Sequence, residues 1–268
     1  MVNILIIGDV VGSPGRAILR KALPLVEKKY GVDYTIANIE NAAGGFGVTK
    51  EVCDEFLDMG VDCLTSGNHI WDKREILGFV DLIPQLLRPL NYPQGQPGRG
   101  SHVGKTRGGG VKVATLNLSG RVFMNGALDD PFRLGLAEVE RLRKETPVII
   151  VDMHGEATSE KTAIAHYLDG KVSAVVGTHT HVPTCDHRIL PKGTAFCSDL
   201  GMTGPYDSVI GVEKEAVIQR FLTAMPGRFE TAKGDPRFAA AVVAVDEQTG
   251  KANAIDRMLL AESDLPNL

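Results

Sequence analysis

The chain reads as an α/β protein with a mixed, mainly parallel sheet flanked by helices. Two observations predict this. Apolar runs of strand length alternate with amphipathic stretches, and glycine- or proline-marked returns add antiparallel pairs at three places.

Ile4–Ile7 is the first buried strand. The residues around it lack the charged leader and long apolar segment of a signal peptide. A helix follows from about Pro14 to Tyr30, with Ser13 as N-cap and Pro14 suited to the first turn. Tyr34–Ile39 is the next strand, and a helix from Lys50 to Met59 is stopped by Gly60. Asp62–Ser66, Val148–Asp152 and Val172–Val176 are further strands, the last two joined by a helix over Ser159–Leu168. This alternation predicts a twisted sheet with helices on both faces. His102–Arg107 and Val111–Leu118 flank three glycines and read as a hairpin. Ile189–Cys197 turns at Pro191-Lys192-Gly193, and Ala239–Val245 returns as Ala252–Leu259. Asn117–Arg133 is long and irregular, the character of a lid or binding loop, and carries Arg121 and Arg133.

With 268 residues and 43% hydrophobic content, the chain suits one domain over 1–268, with room for a small cap built from insertions. A formal net charge of −4 without a basic run argues against a duplex nucleic-acid partner. A small phosphoester or nucleotide stays open, because metal ions can supply positive charge locally. No apolar stretch approaches a membrane span. Cys53, Cys63, Cys185 and Cys197 form no CxxC pair, so reduced thiols in a cytoplasmic protein are expected, with a disulfide still open.

In open α/β sheets, ligands bind outside the carboxyl ends of strands. Asp9, Glu40-Asn41, Asn68-His69, His154, and His179 with His181 each follow such an end. Carboxylate, amide and imidazole donors of this kind suit iron, manganese or zinc, and no cysteine is needed. Two metals about 3.5–4 Å apart need a bridging carboxylate, and Glu40 is the natural bridge. His179 and His181 stand at i and i+2, so in an extended segment both project to one side and one can serve each metal.

Other readings are plainer. Gly8, Gly12 and Gly15 are spaced GxxxGxxG, not GxGxxG, and suit a tight strand-to-helix turn. Gly44, Gly45 and Gly47 form a loop whose bare backbone can approach a phosphate. Thr158-Ser159-Glu160 reads as a helix cap, Trp71 as core, and His102, His166 and His187 as histidines outside the donor set. Met202–Tyr206 is a turn or a pocket wall.

The segments Gly8-Asp9-Val10-Val11-Gly12, Asn38-Ile39-Glu40-Asn41-Ala42-Ala43-Gly44-Gly45-Phe46-Gly47, Thr65-Ser66-Gly67-Asn68-His69-Ile70-Trp71, Asp152 through Lys161, Gly177 through Thr184 and Asp199 through Pro205 resemble the calcineurin-like metallophosphoesterases, and within them the YmdB-like metallophosphodiesterases. The resemblance implies a metallophosphoesterase sandwich with its active site at strand C-terminal ends. It implies one metal among Asp9, Glu40, Asn41 and His181, and another among Glu40, Asn68, His154 and His179. It makes His69 the outer-sphere catalytic histidine and favours iron, with manganese or zinc as alternatives. It further implies hydrolysis of a small phosphodiester, above all a 2′,3′-cyclic nucleotide. A phosphomonoesterase on the same site and a regulatory protein with vestigial hydrolysis are the competing functions. A homo-oligomer is expected of a soluble bacterial enzyme. Where the superfamily has Asp-x-His, this chain has Asp9-Val10-Val11, and Asn41 can fill the place left at Val11. Ile70 stands where many relatives place a carboxylate, so His69 needs a more distant carboxylate or a backbone carbonyl to orient it.

Overall fold

The structure is a computed structural model describing residues 1–268. In chain order its elements are β1 (Val2–Ile7), β2 (Asp9–Val10), α1 (Gly12–Tyr30), β3 (Tyr34–Asn38), α2 (Lys50–Asp58), β4 (Cys63–Thr65), β5 (Ser101–Lys105), β6 (Lys112–Ser119) and α3 (Pro131–Leu142). Then come β7 (Ile149–His154), α4 (Thr158–Leu168), β8 (Ala174–Thr178), β9 (Arg188–Ile189), β10 (Ala195–Cys197), β11 (Met202–Pro205), α5 (Lys214–Thr223), β12 (Pro236–Val245) and β13 (Ala252–Ala261). Short 3-10 helices span Arg74–Gly78 and Glu262–Asn267.

The strands form two sheets. The first is 7-stranded, in the order β2-β11-β12-β1-β3-β4, with β13 also paired to β12. The second is 6-stranded, in the order β5-β6-β7-β8-β10-β9. Parallel pairing joins β1, β3 and β4 in one sheet, and β6, β7, β8 and β10 in the other. The hairpins supply the antiparallel pairs β5–β6, β9–β10 and β12–β13, as the glycine and proline returns predict.

Alternation along the strands makes the layers. Ile4 and Ile6 of β1 meet Val113, Ile150 and Val176 of the other sheet in a central core. Leu5 and Ile7 face the opposite way, onto Ile18, Leu19 and Leu23 of α1 and Phe56 of α2. On the far side, Leu116, Ile149 and Val151 pack against Val139 of α3 and Ile164 of α4. The result is a four-layer α/β/β/α sandwich, the architecture that the family resemblance implies, and it corrects only the alternation-based expectation of one sheet with helices on both faces. Each sheet carries helices on its outer face only, because its inner face is consumed by the other sheet. A strand covered on both sides is apolar throughout in either arrangement, so its residues do not distinguish the two.

Local boundaries differ from expectation in instructive ways. The first helix starts at Gly12 with Val11 as its cap and no side-chain capping bond, so Ser13 is not the N-cap. The backbone supplies partners instead: Val11 N–H donates to the Thr203 carbonyl and Gly12 N–H to that of Asn41. Likewise α4 begins after Ala157 without a side-chain cap, and Glu160 accepts the N–H groups of Arg121 and Val122. Helices α3 and α5 and strands β2 and β11 lie outside the predicted elements. No helix is long and apolar enough to cross a membrane.

Phe238 on β12 is fully buried in the core under α1 and α2. Phe238→Ala is expected to destabilise the fold by about 3–5 kcal/mol, read as a lower urea midpoint at unchanged slope. A loss below about 1 kcal/mol would contradict this packing.

Candidate active site

The C-terminal ends of β1/β2, β3, β4, β7 and β8 converge, and they bring together every donor expected from the sequence. His154 Nε2 is the hub of one group. It lies 2.9 Å from Asn68 Oδ1, 3.0 Å from His179 Nδ1 and 3.1 Å from Glu40 Oε1. His181 Nε2 anchors the second group, 3.2 Å from Asn41 Nδ2 and 4.0 Å from Asp9 Oδ1. Asn41 Nδ2 is in turn 3.4 Å from Glu40 Oε1, so Glu40 belongs to both groups. Its other oxygen accepts the His69 N–H at 2.9 Å. Asp9, Glu40, Asn41 and His154 are all buried.

The charges respond to this crowding. Burial raises the Asp9 carboxyl pKa against the pull of His181 and His154. Burial also works against ionised Glu40, but His154 and His69 outweigh it and hold the carboxyl down at about 2. Burial opposes charge on His154, yet Glu40, Asp9 and Asp152 lift its pKa to about 9. Burial, then the His154 charge, press His179 down to about 3, which keeps that ring neutral.

These residues fit a metal. Asp9 Oδ1 is buried and has no hydrogen-bond partner, a costly state for a carboxylate oxygen that a cation would relieve. One ligand atom each from Glu40, His154 and His179 lies within 4.8 Å of the others. Oxygen and imidazole donors without thiolate suit a borderline transition metal.

A polar layer behind the donors aims them. His154 Nδ1 pairs with Thr178 Oγ1 at 2.9 Å, and that hydroxyl donates to Asp152 Oδ1 at 2.8 Å. This turns Nε2 toward the cluster. Burial raises the Asp152 pKa to about 6. Glu156 Oε2 lies 3.3 Å from His179 Nε2, a neighbour outside the expected donor set. His181 Nδ1 donates to the Ile210 carbonyl at 2.8 Å. His69 pairs through Nδ1 with Asp72 Oδ2 at 2.7 Å, so the orienting group is a carboxylate three residues on.

The segment carrying His179 and His181 is not extended, which corrects the alternation argument. Both have left-handed backbone, φ 103 and φ 64, and such residues each cost about 1–3 kcal/mol. The bend turns the His179 N–H onto Asp9 Oδ2 and the Thr180 N–H onto Asp199 Oδ2. Asp199 is held by Lys161 at 2.9 Å, with both side chains 1% exposed. Lys161 also donates to the Thr178 carbonyl. This pair braces the bend and is one that no local spacing signals, because its members lie on α4 and after β10.

The donors open into a cleft of about 290 Å³. Gly45 lines it, and Gly44, Gly45 and Gly47 all have positive φ, a backbone conformation that glycine adopts without steric cost. A Cβ on Gly67 would sit 2.0 Å from the His154 ring, so only glycine allows this approach. Met202–Pro205 is a strand, β11, pairing with Asp9–Val10, and does not line this cleft. Arg121 and Arg133 pair with Asp130 at the start of α3 and line no part of the cleft, nor does Trp71, which packs edge-on to Tyr92. All four cysteines are free.

A family model described as YmdB-like protein matches residues 5–258. The chain is 47% identical over 263 residues to a 2′,3′-cyclic-nucleotide 2′-phosphodiesterase of Bacillus subtilis (strain 168), covering 98% of each protein. A crystal structure of a hypothetical protein from Thermus thermophilus superposes with TM-score 0.90 at 42% identity, over 97% of this chain and 100% of that one. The crystal structure of a novel phosphatase from Mycoplasma pneumoniae also superposes with TM-score 0.90, at 33% identity, over 97% and 93%.

Lys161→Met leaves Asp199 buried without its partner. A loss of about 3–5 kcal/mol in urea unfolding is expected. A change below about 1 kcal/mol would mean that the pair does not brace the bend.

Proposed function

The chain belongs to the YmdB-like family, and on that premise we propose that it is a metal-dependent phosphoric ester hydrolase with two metals, acting on 2′,3′-cyclic nucleotides. The observation that carries the two-metal reading is Glu40, shared between the His154 group and the His181 group. Asp9, Glu40, Asn41 and His181 would hold one ion, and Glu40, Asn68, His154 and His179 the other. When bound, the ions supply a nucleophile by lowering the pKa of water and neutralise charge on the phosphate oxygens. Iron is the proposed metal, with manganese and zinc as alternatives that the same donors accommodate.

The chain's own groups do the remaining work. With Nδ1 engaged by Asp72, His69 has Nε2 available to give a proton to the departing ribose oxygen. The glycine loop at Gly44–Gly47 lets backbone N–H groups come close to the phosphate. Asp152 and Thr178 keep His154 in one orientation. A phosphodiester is favoured over a monoester because no lysine or arginine lines the cleft, and a monoester brings an additional negative charge. The same proposal sets the protein in a cytoplasmic, reducing environment, in keeping with its free cysteines.

Protein reconstituted with iron or manganese is expected to hydrolyse 2′,3′-cyclic AMP faster than it hydrolyses 3′-AMP. His69→Ala should lower kcat by about 10²- to 10⁴-fold while metal content stays the same. Preference for the monoester would overturn the substrate assignment, and an unchanged kcat would remove His69 from the mechanism.

A further inference from the structure

The cleft has two chemically unlike halves. Its floor is the donor cluster, and its wall is apolar, built from Val11, Phe46, Ile210, Val212 and Phe229. Phe46 is 39% exposed and Ile210 54%, so this surface faces the opening instead of filling a core. The wall is held firmly. Glu213 N–H donates to the Glu230 carbonyl and Ala232 N–H to that of Gly211, both at 3.0 Å. Thr231 is seated against the glycine loop, where a Cβ on Gly45 would come within 2.7 Å of its hydroxyl. Phe229, next to these anchored residues, lines the cleft, with Arg220 over its ring at 5.2 Å. Phe46 is placed from the other segment, its ring centroid 4.9 Å from that of His69.

An apolar, aromatic shelf therefore adjoins the histidine assigned to the leaving oxygen. Phosphate has no use for such a surface. A flat uncharged group joined to the phosphodiester through a sugar does. Resting on the phosphodiesterase reading above, we propose that Phe229 and Phe46 form the nucleobase shelf of the site, with Phe229 as a specificity-determining residue. Stacking reads the π-face common to all bases, so the shelf selects nucleoside diesters over diesters without a base and discriminates little among bases.

The test uses the full chain, Phe229→Ala and Phe229→Tyr, with two readouts. Calorimetric binding of adenosine, which carries no phosphate, reads the shelf alone. Kinetics on 2′,3′-cyclic AMP and on a base-free methyl riboside 2,3-cyclic phosphate read it in turnover. Phe229→Ala is expected to weaken adenosine binding about tenfold or more and to raise KM for 2′,3′-cyclic AMP by a similar factor. Its KM for the base-free diester should rise by a smaller factor, and Phe229→Tyr should restore both readouts. Equal adenosine affinity in wild type and Phe229→Ala, no adenosine binding by wild type, or an equal KM increase for both diesters would overturn the shelf. Adenosine binding that depends on Phe229, without turnover of either diester by the metal-loaded protein, would uphold the shelf and overturn the phosphodiesterase reading.

Discussion

A carboxylate withdrawn from water must be met by charge or by donors, and Glu40 is that carboxylate here. One oxygen faces His154 and Asn41, the other takes the His69 N–H, and its residue is 1% exposed. Burial alone would drive it to the neutral acid. The surrounding groups reverse that and keep it ionised. Because both donor groups include Glu40, its position ties together strand ends from both sheets.

The sandwich makes this convergence possible. Parallel strands point their carboxyl ends the same way, and two such sheets stacked on a shared core present those ends side by side. Stability conferred by that large core offsets local strain at His179 and His181, where left-handed backbone is tolerated because carboxylates capture the N–H groups that the bend turns inward. Asp199 can play that part only because Lys161 neutralises it out of water. Positioning of the two histidines thus reaches back to α4.

Much of this was legible in the residues. Ile4–Ile7, Tyr34–Ile39 and Val148–Asp152 announce themselves as apolar runs because both faces are covered, and the donors sit where those runs stop. The division into two sheets was not legible from the runs themselves, since burial on both faces looks alike whether a helix or a second sheet supplies the cover. It entered through the family resemblance. Strands β2 and β11 are too short to show a period and are defined by pairing, Asp9–Val10 with Met202–Thr203 and Gly204–Pro205 with β12. The bend at His179 escaped because positive φ in a non-glycine residue is imposed by distant partners. Asp72 was within reach, three residues from His69 in Asn68-His69-Ile70-Trp71-Asp72. The Lys161–Asp199 pair was not, because nothing local marks a buried ion pair across 38 positions.

The chemistry proposed for this site rests on two metal positions sharing Glu40. Elemental analysis of protein reconstituted with iron or manganese and freed of excess metal tests it most directly, with Glu40→Gln alongside. About two equivalents per chain are expected in the wild type, as a shared bridging carboxylate requires, with loss of metal from both positions in the variant. A wild type that retains no metal, or a Glu40→Gln variant that retains both ions, would contradict it.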